Sequence, residues 1–119
     1  MYYSKEFTQN EVMCRCGCGT VVFVEQHYFR MMQLRRLWNK PIVVTSWCRC
    51  ETNNTEVGGS KTSSHLLGLA TDIKAINPHT RLALCFYAGL CQFRGIGIGE
   101  NFIHLDSDFS KPANRFWIY

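Results

Sequence analysis

Apolar positions change their period several times along the chain, and each change marks an element. From about Glu25 to Asn39, the residues Tyr28, Met31, Met32, Leu34 and Leu37 recur at helical spacing, and Lys40-Pro41 closes the segment. The β-branched run PIVVTSW, at 41–47, predicts a short buried strand. Residues 51–62, ETNNTEVGGSKT, are polar and rich in turn formers, so a long loop is expected there. LGLATDIKAI alternates enough for a half-buried strand. NPHTRLALCFYAGLCQF predicts a second helix, with Asn77 as its cap, Pro78 in its first turn and an apolar stripe. GIGIGENFIHLD predicts two short strands around a Gly-Glu-Asn turn, and RFWIY a last strand. Residues 1–20 show no period and read as an irregular lead-in. Helices and strands do not alternate regularly. The expectation is therefore an α+β fold, one domain over residues 1–119, with a small and mostly antiparallel sheet flanked by two main helices.

Composition narrows the class. A chain of 119 residues with an ordinary apolar share buries a core without needing staples. No stretch approaches the roughly 20 apolar residues of a membrane span, so membrane insertion is not expected. Met1-Tyr2-Tyr3-Ser4-Lys5-Glu6 lacks the basic start and apolar run of a signal peptide, which predicts synthesis in the cytoplasm. Action outside the cell would then need delivery by another route, such as holin-type release. The net charge of +4 suits an anionic partner such as a bacterial wall polymer. Nucleic acid is not expected, because no aromatic-basic face is evident. Arg30, Arg35 and Arg36 form the only local basic cluster and read as a solvated helix face. A monomer is expected.

The candidate chemistry begins with SSHLLGLATD, where His65 and Asp72 stand seven positions apart. His65 ends the polar loop and Asp72 lies inside the following strand. His104, in FIHLD, is the natural third ligand for a zinc ion, which takes three protein donors in a catalytic site. Taken alone, the spacing fits a surface histidine equally well. That bland reading, surface or capping, is kept for His27 and His79, which belong to no ligand pattern.

Seven cysteines are many for a chain without a signal sequence, and an odd number cannot pair completely. Cys14, Cys16 and Cys18 alternate, as do Cys48 and Cys50. Three or four such thiols meeting would bind a structural zinc, although the usual Cys-x-x-Cys knuckle is absent. Disulfides between the two clusters are the alternative in an oxidising compartment. Cys85 and Cys91 read as small buried apolar groups.

The whole pattern is more specific than its parts. SSHLLGLATD fits Ser-x-His-x-x-Gly-x-Ala-x-Asp, and HLD fits a later His-x-Asp. CRCGCG, KPIVVTSWCR, NTEVGGSKTSSH and GIGIGENFIHLD follow in order across most of the chain. Together they resemble the zinc D-Ala-D-Ala carboxypeptidase family, and within it the small single-domain peptidases often encoded by phages. That resemblance implies the compact α+β fold shared with the signalling domain of hedgehog proteins. It implies His65, Asp72 and His104 as zinc ligands, and peptidoglycan stem peptides as substrates of a carboxypeptidase or endolysin-type endopeptidase.

By the same resemblance Arg49 stands where the family has the arginine of Ser-Gly-Tyr-Arg, to grip a substrate carboxylate or steady an oxyanion. Here the stretch is Ser46-Trp47-Cys48-Arg49, so the Gly-Tyr pair is replaced. The acidic residue that related peptidases carry three before the last histidine is Asn101. The general base therefore falls to Asp106, slightly favoured, or to Glu100, although either is also suited to orienting a ligand. Ser63 is expected to hold the loop or touch the substrate. Gly68 and Ala70 are expected to permit close packing, and Asn54, Gly58 and Gly59 to shape the loop. The arginine that follows His-x-Asp in the family is missing here, where Ser107-Asp108 stand instead. These departures leave an alternative: a zinc-containing binding domain of the same fold without catalysis.

Overall fold

The computed structural model describes residues 3–119; positions 1 and 2 of the lead-in lie outside the described residues. The lead-in contains a single helical turn, α1 (Gln9–Val12), whose start is held by the Glu11 carboxylate accepting from the Thr8 backbone N–H at 3.0 Å. Phe7 is fully buried beside it, and its carbonyl accepts from Tyr28 Oη at 2.6 Å. The first long helix, α2 (Glu25–Trp38), turns His27, Tyr28, Met31 and Leu34 inward. It ends at Asn39 in the left-handed conformation, just before Lys40-Pro41. Strand β1 (Val44–Ser46) is followed by α3 (Glu51–Glu56), a 3-10 turn (Ser64–Leu67) and β2 (Ala70–Lys74). Then come α4 (Pro78–Leu90), β3 (Gly95–Ile98), β4 (Phe102–Asp106) and β5 (Arg115–Ile118). Asn77 caps α4 through Oδ1, which accepts from the N–H groups of His79 and Thr80.

The five strands form one sheet in the order β1-β2-β4-β3-β5. Three of its four pairings are antiparallel, and β3 pairs with β5 in parallel, so the sheet is mixed. The reason is where the chain emerges. Asp106, at the end of β4, lies opposite Gly95, at the start of β3. A strand that sets out from that end and crosses to the far side of β3 must run in the direction of β3. One face of the sheet carries Thr71, Ile73, Ile103 and Leu105 into the core with α2, Trp47 and Phe93. The other face carries polar side chains.

Three further expectations change. The polar stretch 51–62 contains α3, which is too short and too polar for an amphipathic pattern. Its start is fixed by Cys50, whose Sγ accepts from the Asn53 N–H at 3.3 Å. His27 is neither surface nor cap. It is fully buried on α2, with Nδ1 2.7 Å from Ser107 Oγ and Nε2 2.8 Å from Thr71 Oγ1. His79 is exposed, as read. The apolar stripe of α4 also divides: Leu84 and Ala88 are buried, whereas Leu82, Phe86 and Leu90 face outward. Cys91 is buried and Cys85 half-buried. No helix among the described residues is long and apolar enough to cross a membrane.

Burial, reinforced by the nearby Arg30 charge, pushes the His27 pKa down from 6.5 to about 3. The unfolded ring takes up a proton near its ordinary pKa, while the buried ring resists it. Stability from His27 is therefore complete above pH 6.5 and is lost as pH falls from there toward 3. Urea unfolding across this window should show a slope of up to about 1.4 kcal/mol per pH unit from this group, absent in His27→Gln. His27→Ala, which strands the hydroxyls of Thr71 and Ser107, should cost about 3 kcal/mol at neutral pH.

Candidate metal centre

The polar face of the sheet is assembled by register. Asp72 on β2 lies directly opposite His104 on β4, which lies opposite Gly97 on β3, which lies opposite Trp117 on β5. Ser46 on β1 completes this row beside Asp72. A second row runs Ala70, Asp106, Gly95 and Arg115. His65 arrives from outside the sheet on the 3-10 turn. Ser63 caps that turn by accepting from the His65 N–H at 3.2 Å. Gly68 ends it with φ 69°, and a Cβ there would sit 2.5 Å from the Val22 carbonyl oxygen. Asn54 ties the preceding loop down, donating to Ser60 O at 2.8 Å, and a Cβ on Gly59 would collide with the Asn54 side chain.

Three donors converge: His65 Nε2 is 3.2 Å and His104 Nδ1 3.0 Å from Asp72 Oδ1. All three residues are buried, and one donor atom from each lies within 4.8 Å of the others. The second nitrogen of each ring is also engaged. His65 Nδ1 donates to the Trp47 carbonyl, which leaves Nε2 as the free donor to a metal. His104 Nε2 is 3.0 Å from Asp106 Oδ2. Burial would raise the Asp72 carboxyl, but hydrogen bonds from His104 and His65 outweigh it and hold its pKa well below the usual range. Burial would lower His104, and the Asp106 and Asp72 carboxylates instead raise it.

The donor set lies in a cavity of about 410 Å³. Arg49, Lys111 and Arg115 bring positive charge to the lining, against the carboxylates of Asp72 and Asp106. Arg49 is braced on three sides, donating to Ser46 Oγ at 3.1 Å, Asn54 Oδ1 at 3.2 Å and Asp72 Oδ2 at 3.4 Å. Ser63 is also on the lining. Asp106 is fully buried: Oδ2 meets His104, and Oδ1 accepts from Arg115 Nη2 at 2.7 Å and from the Asp108 N–H at 3.2 Å. Since Asp106 meets the Nε2 edge of His104 and Asp72 meets the Nδ1 edge, Asp106 stands on the far side of that ring from the converging donors. Glu100 is exposed in the β3–β4 turn and is not among the residues lining the cavity.

Sequence reasoning missed the wall built by the last strand. Arg115, Trp117 and Tyr119 all line the cavity, and the Trp117 ring centroid is 5.3 Å from that of His104. The missed signal is the two-residue period of RFWIY, which puts these three side chains on one face. GIGIG makes the room: a Cβ on Gly97 would lie 2.5 Å from the Trp117 ring, and one on Gly95 2.4 Å from Asp106 Oδ2. Arg115 also places a cation beside Asp106.

Two imidazoles and a carboxylate, each already oriented and lining the cavity, form a donor set that fits zinc. That is the kind of centre metal-dependent hydrolases use. The family model described as Peptidase M15 matches residues 5–106, and the chain belongs to this family of peptidases. A search of curated proteins finds no match. Asp106→Ala should release the His104 ring and weaken divalent-metal affinity at this centre by about 10–100-fold, read by competition with a chromophoric chelator.

Proposed function

We propose that the chain is a zinc-dependent peptidase that hydrolyses peptide bonds in peptidoglycan stem peptides, with His65, Asp72 and His104 as the metal ligands. The observation that carries this reading is the convergence of those three buried donors at a cation-lined cavity in a member of the M15 peptidases. When bound, zinc supplies Lewis acidity, polarising a peptide carbonyl and activating water near neutral pH. The chain's own residues do the rest. Trp47 O and Asp106 hold the two imidazoles in their ligating orientation. Arg49, fixed by Ser46 and Asn54, directs its guanidinium at a substrate carboxylate or a developing oxyanion. Lys111 and Arg115 extend the positive lining to further carboxylates of a stem peptide, and Trp117 and Tyr119 offer aromatic faces to its backbone. Asp106 acts as a positioning residue for His104, and Glu100 takes no part. Release of the protein to the wall, as in phage lysis, accords with this substrate.

One observation favours a second reading. The carboxylates lining the cavity are Asp72 and Asp106, and both are fully engaged, which is the condition for a zinc-bearing domain that binds wall peptides without cutting them. Purified protein incubated with muropeptides separates the two. The peptidase reading expects new amino termini, loss of turnover with a chelator, recovery with Zn²⁺, and background rates for His65→Ala. Retained binding with no cleavage by zinc-loaded wild type would transfer the assignment to the binding domain. Full activity in His65→Ala would end both.

A further inference from the structure

Four of the seven cysteines meet at a place the peptidase reading does not use. Cys14 Sγ is 3.5 Å from Cys16 Sγ and 3.8 Å from Cys50 Sγ, and Cys16 and Cys50 are 3.7 Å apart. Cys18 joins them, and all four sulfurs lie within 4.8 Å of one another. None is bonded to another, and all seven cysteines are free thiols. Core packing does not account for the grouping, because Cys16 and Cys18 are exposed. Metal geometry does. Zinc–sulfur bonds of about 2.3 Å at tetrahedral angles set neighbouring sulfurs about 3.8 Å apart.

The surrounding backbone is arranged for thiolates. The N–H groups of Cys50, Asn53 and Thr20 point at sulfur, to Cys14 Sγ at 3.4 Å, Cys50 Sγ at 3.3 Å and Cys18 Sγ at 3.4 Å. Gly17 and Gly19 take φ of 83° and 82° between and after the alternating cysteines. A Cβ on either would meet open space, so glycine is required there by the left-handed turn and not by crowding. This tight reversal gathers three thiols onto one point without a Cys-x-x-Cys knuckle. Cys48, two residues from Cys50, is excluded: its Sγ faces the Val12 carbonyl oxygen at 2.9 Å.

We propose that Cys14, Cys16, Cys18 and Cys50 form a structural zinc site, a closed tetrathiolate separate from the His65–Asp72–His104 centre. Binding displaces the four thiol protons, and the redox-inert ion closes its coordination sphere with sulfur alone. The site joins the lead-in to the backbone that serves the cavity. Cys50 follows Arg49 directly, Arg49 N donates to His65 O at 3.0 Å, and Trp47 O holds the His65 ring. The four-sulfur site thereby ties this segment to the lead-in through Cys14, Cys16 and Cys18.

The test uses the full chain with His65→Ala and His104→Ala, purified under reductant, so that the outcome is independent of the peptidase reading. Elemental analysis and native mass spectrometry should find one zinc per chain, against two in wild type. X-ray absorption at the zinc edge should show sulfur neighbours only, at about 2.3 Å. Adding Cys16→Ser and Cys18→Ser should remove this zinc; if that variant does not fold, the absorption spectrum of its parent decides. A metal-free parent, nitrogen or oxygen neighbours in its spectrum, or a mass lower by two hydrogens per disulfide would overturn the site. The sulfur-only spectrum of the His65→Ala, His104→Ala chain decides this site whatever the wild-type zinc count shows of the other centre.

Discussion

The pairing of β2 with β4, which sets Asp72 directly across from His104, is the constraint on which the rest of the molecule depends. Side chains alternate between the faces of a strand, so a slip by one residue would turn His104 and Asp106 into the core and expose Ile103 and Leu105. The apolar core prevents that slip. Thr71, Ile73, Ile103 and Leu105 are completely buried on one face, so their counterparts must occupy the other. The candidate metal centre is in this sense the reverse side of the hydrophobic core.

A row of polar groups on a sheet is not yet a site, because each would be free to turn. Here the second contacts remove that freedom: the Trp47 carbonyl for His65, Asp106 for His104, and Arg115 for Asp106. The Arg115 contact exists because the parallel pairing of β5 with β3 puts Arg115 in the same row as Asp106. The glycines of β3 are the other half of this arrangement, since any larger side chain at Gly95 or Gly97 would occupy the space of Asp106, Arg115 or Trp117.

His27 shows a different use of burial. It lies beneath the sheet, on the side opposite the candidate metal centre, and joins Thr71 and Ser107 by its two ring nitrogens. Thr71 precedes Asp72 and Ser107 follows Asp106, so a neutral, fully satisfied imidazole braces the two strands that carry Asp72 and His104. Such a group specifies one arrangement of the core, since leaving either hydroxyl unpaired is costly.

Much was legible in the chain itself. The cap at Asn77, the period of α2, the β3–β4 hairpin and the His65, Asp72 and His104 pattern all depend on neighbours within a few residues or on motifs in a fixed order. Each was readable from local spacing or motif order, although the meeting of His104 with Asp72 rests on the β2–β4 pairing. Other features were decided only by tertiary structure. Helix α3 is polar and short, and its start rests on Cys50. His27 lies on a helix stripe that says nothing of the hydroxyls awaiting it from Thr71 and Ser107. The direction of β5, and with it the Arg115–Trp117–Tyr119 wall, follows from where β4 ends. Whether Asp106 stands free or is held depends on three partners, one of them nine residues away on another strand. Cys50 reaches the lead-in thiols across 36 residues of sequence. Alternation and spacing specify which face a side chain takes; what it meets there depends on packing between distant segments, which no local pattern records.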